Sequence, residues 1–290
     1  MKVSGFTFIR NGITFGYPFI PAITSILPIC DEVIVAVGNS DDATRAAVEA
    51  IGSEKIKIID TIWDDSKRTG GQVLAEQTNI ALDHITGDWG FYIQGDEVVH
   101  EKYLPGIRAA METHLGNRFV DGLLFNYLHF YGSYDHVASS RNWYRKEIRI
   151  VRNDPAIRSW GDAQGFRKEQ NGQMVKLSVK AIDAFIYHYG WVRPPAVMLE
   201  KLRSFHKLWH DDAWIEKNMK QEQFEYSHIQ AVKPFTDTHP AVMRPFIADK
   251  QWDYTPPTNP PKRSFKHLLS DTIEQLTGQR LGEYKNYRLK

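Results

Sequence analysis

The chain has 290 residues, 42% hydrophobic and 24% charged, with a formal net charge of +1. That length suits one large α/β domain, or one domain with a helical appendage, and the composition excludes global disorder. A balanced charge with no strong basic block argues against nucleic acid as the main partner.

In chain order, Val3 to Ile9 alternates and is stopped by the turn Arg10-Asn11-Gly12, so it reads as a strand followed by a loop. Pro18 and Pro21 suit the first turn of a helix that ends near Pro28. Glu32 to Val37 is a continuous apolar run, the mark of a strand buried on both faces. The polar turn GNSDDAT leads into a helix through about Ile51, and Lys55 to Ile59 is a third strand. Val73, Leu74, Ile80, Ala81 and Ile85 recur at helical spacing, which predicts a helix over 71–85, ended by Gly87. A strand over 89–94 follows. This alternation implies an α/β fold whose N-terminal half is a parallel sheet with right-handed crossovers.

The second half is less regular. Tyr103, Ile107, Ala110 and His114 suggest a helix; Gly122 to Phe130 and Trp143 to Val151 read as antiparallel strands; residues 177–189 give another strand. Met198, Leu202, Phe205 and Trp209 make a helical stripe. YTPPTNPPKR is an extended proline-rich connector, and Phe265, Leu268, Leu269, Ile273 and Leu276 form an amphipathic helix. The expected organisation is a domain over 1–190, in halves 1–101 and 102–190, and a mainly helical extension over 191–290.

Cys30, the single cysteine, supports neither a disulfide framework nor a cysteine zinc site and reads as a buried thiol. The N-terminus lacks a signal-peptide pattern, and no run approaches the roughly 20 apolar residues of a membrane span. The expectation is a soluble, cytoplasmic protein with peripheral membrane contact left open.

The chemistry gathers in WGFYIQGDEVVHE, residues 89–101. A buried aromatic strand breaks at Gly95 and presents Asp96 and Glu97. Carboxylates at a buried strand's exit need a cationic partner, and the carboxyl ends of strands in open α/β sheets are where ligands bind. Two readings follow: a Mg²⁺ or similar cation on Asp96 shared with a diphosphate, or two solvated acids capping the next helix.

Residues 5–101 resemble the nucleotide-binding half of family 2 glycosyltransferases, which have the GT-A fold. The pieces are FTFIRNG, then CDEVIVAVGNSDDAT, then TNIALDHITGDWGFYIQGDEV, in the family's order and spacing over about a third of the chain. The resemblance implies a Rossmann-like GT-A mixed sheet with antiparallel strands in the C-terminal half. It implies transfer of a sugar from a nucleotide-diphosphate donor to a saccharide or lipid-linked hydroxyl, with Mn²⁺ or Mg²⁺, in surface polysaccharide or glycolipid synthesis. Two departures stand out. The family's Asp-x-Asp is here Gln94-Gly95-Asp96, so Asp96 alone is left for the metal and Gln94 is a neutral partner. The acid that usually ends the second strand is here Val37.

In the resembling family a histidine near the position of His188 can complete the metal site; the alternative is a half-buried histidine satisfied by backbone. Asp162, in RSWGDAQGF, is the candidate general base, with Asp135 and Asp183 next; the alternative is a turn aspartate. Arg10, Arg68 and Arg193 are the candidate phosphate grips, Asn11 and Asn79 are carried by the donor-side motifs, and Asp42 either holds ribose or caps a helix. His206, His210, Asp211 and Asp212 read as a solvated helix end rather than a metal site. A non-catalytic nucleotide- or carbohydrate-binding protein and a sugar nucleotidyltransferase are the rival readings. The latter lacks its Gly-rich, Lys-bearing loop in RNGITFGYPF.

Overall fold

Four parallel strands, β1 (Val3–Ile9), β2 (Glu32–Gly38), β3 (Ile56–Thr61) and β4 (Trp89–Tyr92), stand in the order β4-β1-β2-β3. The coordinates are a computed structural model describing residues 1–67, 70–258, 261, 270, 272–274, 276, 277, 280 and 282–290. Every residue of β2 is buried, as its unbroken apolar run requires of a strand covered on both faces. Helices α1 (Phe19–Ile26), α2 (Thr44–Glu49) and α3 (Gln72–Asp83) make the crossovers. Phe19, Ala22, Ile23, Ile26 and Val48 from α1 and α2 pack on one face of the sheet with Ile107 and Met111 of α4 (Leu104–His114). Ala81 and Leu82 of α3 pack on the other face with Phe6, Ile34 and Tyr92.

The acid that opens β2 ties these layers together. Glu32 is buried, and its carboxylate accepts hydrogen bonds from Ser4 Oγ at 2.7 Å, the Thr86 amide at 2.9 Å and Lys57 Nζ at 2.6 Å. Burial alone would raise its pKa; the Lys57, Thr86 and Ser4 bonds outweigh that and pull it down to about 2. Cys30 beside it is buried and free, its thiol pushed up to about 12 by burial.

Beyond β4 the sheet turns mixed. Strand β5 (Glu97–Val99) leads to α4; β6 (Gly122–Tyr131), β7 (Ser133–Ala138) and β8 (Lys146–Arg152) follow, with β8 antiparallel to both β4 and β6. The strand expected from Trp143 begins only at Lys146. Trp143 and Tyr144 instead pack around His129, with the Tyr144 and His129 rings 4.4 Å apart. A separate three-stranded sheet, β9 (Ile157–Trp160), β10 (Gly165–Gln170) and β11 (Gln173–Lys176), was not expected. Its hairpin turns on Asn171-Gly172, both with positive φ, 53° and 76°, the geometry of a type I′ turn.

Strand β12 (Ser178–Trp191) runs parallel to β6 and antiparallel to β5, pairing His188 with Glu97. After it come α5 (Pro195–His206), α6 (Asp212–Asn218), the edge strand β13 (Val232–Pro234), α7 (Arg244–Ala248) and β14 (Arg288–Leu289), which returns to pair with β12. The described residues of the large sheet form 11 strands. Of the amphipathic helix expected near the C-terminus, Phe265, Leu268 and Leu269 lie outside the described residues; Ile273 and Leu276 are helical. Among the described residues no helix is long and apolar enough to cross a membrane.

Candidate functional site

The carboxyl ends of β1 and β4 open into a cleft of 610 Å³. Arg10, Asn11, Gln94, Asp96, Asp162 and His188 all line it, although they come from four separate stretches of the chain. The turn at Gly95 packs closely on β1, where a Cβ would stand 3.0 Å from the Ile9 side chain. The β5–β12 pairing then brings Asp96 to His188, since the Tyr189 amide donates to the Asp96 carbonyl at 2.8 Å.

Asp96 and its neighbour Glu97 have different surroundings. Glu97 is fully buried and held by Arg149 in a two-pronged ion pair, Nε to Oε2 and Nη2 to Oε1, both at 2.7 Å. Tyr127 Oη donates to Oε1 at 2.7 Å and the Gln94 amide to Oε2 at 3.1 Å. Arg149 uses its remaining donor on the carbonyls of Ile148 and Gln164.

Asp96 Oδ2 faces Lys201 Nζ at 3.3 Å and His188 Nε2 at 3.8 Å. Burial acts to raise the Asp96 pKa, but Lys201, His188 and Arg193 outweigh it and bring it down to about 2. Burial, then Arg193, lowers Lys201 to about 7 against the pull of Asp96. Burial lowers His188 to about 4, so the ring is neutral at physiological pH. Its Nδ1 lies 2.9 Å from His129 Nδ1, and His129 Nε2 lies 2.7 Å from the Tyr144 carbonyl, which fixes both rings. Gly190 is required here, because a Cβ would stand 2.5 Å from His188 Nε2 and 2.9 Å from Asp96 Oδ2.

The other expected residues divide. Arg10 pairs with Asp65 at 2.5 Å, donates to the Asn39 carbonyl and lies over the Trp63 ring at the cleft wall. Asn11, with φ of 50°, exchanges hydrogen bonds with Asp41. Gln94 donates to Tyr92 Oη and to the Ala163 carbonyl, both at 3.3 Å. Asp162 is exposed and lines both this cleft and an adjoining one of 840 Å³. Arg193 is 1% exposed, sits over the Tyr17 ring at 4.8 Å, and its guanidinium nitrogens have no hydrogen-bond partner among the described residues.

Two residues are committed elsewhere. Asn79 exchanges hydrogen bonds with the Ser159 backbone, docking α3 to β9 outside the cleft. Asp42 accepts from the amides of Thr14 and Thr44, pinning the loop after β1 to the start of α2. Arg68 lies outside the described residues. Asp211 caps α6 through the Trp214 amide at 2.8 Å, and His210 stacks on Trp214, so the histidine–aspartate cluster is a helix end.

Lys201, Tyr17, Trp63 and Trp191 line the cleft without having been singled out in the sequence. Lys201 carried one signal: it is three residues after Met198 and four before Phe205, a charge on the apolar stripe of its helix. Glu147, in the adjoining cleft, also went unnoticed. It is 4% exposed and burial pushes it up to about 7.

A divalent cation fits these residues poorly. One carboxylate and one imidazole converge, and among the described residues no histidine, cysteine or acid supplies a third ligand; His129 meets the other nitrogen of the His188 ring. The carboxylate oxygen nearest the imidazole also faces a lysine ammonium. A dication there would stand against that charge in a buried, weakly screened place.

No protein-family model matches the chain, and no curated protein matches it. Among solved structures it is similar to S. aureus TarS 1-349, with 18% identity and a TM-score of 0.41 over 70% of this chain and 64% of that one. The same fragment in complex with UDP-GlcNAc gives 17% identity and a TM-score of 0.40, over 70% and 65%. It is also similar to glucosyl-3-phosphoglycerate synthase from Mycobacterium tuberculosis in complex with Mn²⁺, UDP and phosphoglyceric acid. There the identity is 20% and the TM-score 0.31, over 45% of this chain and 43% of that one. The alignment thus spans less than two thirds of TarS 1-349 and under half of the synthase.

Proposed function

We propose that the protein is a glycosyltransferase that moves a sugar from a nucleoside diphosphate sugar to a hydroxyl of a saccharide or lipid-linked acceptor. The cleft at the carboxyl edge of the parallel strands supports this reading above all. It joins Arg10, Asn11, Gln94, Asp96, His188 and Asp162 with the rings of Phe15, Tyr17, Trp63 and Trp191. Flat aromatic faces suit a base and a sugar, and a few convergent polar groups suit orientation.

In this reading residues 1–101 hold the nucleotide, 102–190 face the acceptor, and the extension over 191–290 contributes Lys201 and Phe205 of α5 to the cleft wall. The acceptor lies in the adjoining cleft, which shares Tyr144, Asp162 and Gln164 with the first. The acceptor oxygen forms a bond to the anomeric carbon while that carbon's bond to the diphosphate oxygen breaks. The electron pair leaves on the diphosphate, and Asp162 takes the hydroxyl proton. A surface polysaccharide or glycolipid product suits a cytoplasmic protein working at the inner membrane face. A Mn²⁺ or Mg²⁺ ion on Asp96 and His188 is the competing account of how the diphosphate charge is met.

The test is release of nucleoside diphosphate from a panel of sugar nucleotides, measured with wild type and Asp162→Asn. Transfer should fall about 10²–10⁴-fold in the variant, the usual worth of a positioned base, while donor affinity holds. Donor binding without any release would identify a non-catalytic binder; the absence of both would overturn the reading.

A further inference from the structure

Taken as a balance of charge, the buried groups around Asp96 do not cancel. Glu97 and Arg149 neutralise each other in a closed pair. His188 is neutral. That leaves the single carboxylate of Asp96 against two basic side chains, Lys201 and Arg193, which lie over the same Tyr17 ring at 5.1 and 4.8 Å. The Lys201 side chain is 13% exposed, and its ammonium also donates to the Gly190 carbonyl at 2.9 Å. The buried Arg193 guanidinium has the Tyr17 side chain beside it and no carboxylate or carbonyl acceptor among the described residues. A guanidinium buried in this way does not line the cleft, but its positive potential favours an anion in the cleft that Tyr17 lines.

Resting on the reading above, we infer that Lys201 is a built-in cation that meets the diphosphate of the donor where a divalent metal would otherwise sit, with Arg193 supplying positive potential from behind Tyr17. Asp96 then positions the ammonium rather than ligating a metal. The ammonium reaches the cleft from the helix that follows Pro194 and Pro195, a start suited to proline at its first positions. A lysine can bind phosphate as a point charge in this way.

The two accounts of Asp96 make opposite demands. Were it a metal ligand, Asp96→Asn would abolish binding of the diphosphate. As the group that positions Lys201, Asp96 can be changed to Asn with a partial loss of affinity, and the binding that remains is indifferent to Mn²⁺.

The experiment is calorimetric titration of inorganic pyrophosphate and of a panel of nucleoside diphosphates, in excess chelator and again with Mn²⁺. Wild type should bind equally well in both. Lys201→Met should lose about 10–100-fold, the worth of a hydrogen bond to a charged group. Asp96→Asn should lose less than Lys201→Met and stay indifferent to chelator, and Lys201→Glu should bind only when Mn²⁺ is supplied. Circular dichroism checks that each variant folds, and the wild-type comparison needs no variant. Wild-type binding that vanishes in chelator and returns with Mn²⁺ overturns the inference, as does a loss in Asp96→Asn larger than that in Lys201→Met. Chelator-resistant pyrophosphate binding that depends on Lys201, with no nucleoside diphosphate bound more tightly, would uphold the cation and sink the nucleotide-sugar reading. No binding of any probe would sink both.

Discussion

Asp96 and Glu97 are adjacent acids with opposite situations. Glu97 is enclosed: two bonds to Arg149, one from Tyr127, one from a backbone amide, and no exposure. Asp96 meets one ammonium at 3.3 Å with more positive charge behind it than it can cancel. The first arrangement is complete without a ligand and is architecture. The second is incomplete, and incompleteness among buried charges is what marks a binding site. Two carboxylates in sequence therefore say little until their partners are counted.

The comparison can be broken most strongly at Glu97. Glu97→Gln leaves Arg149 charged, buried and without its partner, and should lower unfolding stability by about 3–5 kcal/mol in denaturant titration. A loss under about 1 kcal/mol would mean that the pair is not structural.

Glu147 sharpens the contrast, as a buried acid with neither a full pair nor a place against Asp96. Its folded pKa, about 7, lies above its ordinary value of 4.5, so the native state binds the extra proton between those pH values. Its contribution is fully present below about pH 4.5 and is lost as pH rises through 7, amounting to about 3 kcal/mol. Glu147→Gln should flatten that fall: the variant should melt above wild type at pH 8 and alongside it at pH 4. Parallel stability curves across that range would refute the assignment.

The smallest effect tests how tightly the Asp96 side is built. Gly190→Ala places a methyl against His188 and Asp96, and should cost about 1–3 kcal/mol of stability through overpacking. An unchanged melting temperature would show that the imidazole can give way.

The parallel half was legible because its signals are local. The unbroken apolar run of β2, the helical spacing of α3 and the turn at Gly95 each sit within a few residues. The carboxyl-edge cleft followed from that topology, with Asp96, Asn11 and Gln94 at its wall. What escaped notice depends on contacts distant in sequence. Trp143 and Tyr144 look like strand residues until His129 claims them. Asn79 stands in a helix that could face a nucleotide, yet its amide matches the backbone of Ser159, 80 residues on. Lys201 meets Asp96 only because β5 pairs with β12 and α5 folds back. The Asn171-Gly172 turn was a local signal and was passed over.

The ammonium beside Asp96 belongs to the chain, and that has a consequence for supply. A bound ion is borrowed from the surroundings: it can be scarce, displaced by a competitor or stripped by a chelator. A lysine on α5 arrives with translation, in fixed ratio to the site it serves. What it gives up is coordination. An ammonium offers three donors, and here two are already turned to Gly190 and Asp96, so it can hold fewer oxygens than a metal shell. A protein arranged this way would keep working through swings in metal availability, with a looser grip on its leaving group and a faster release of the spent nucleotide.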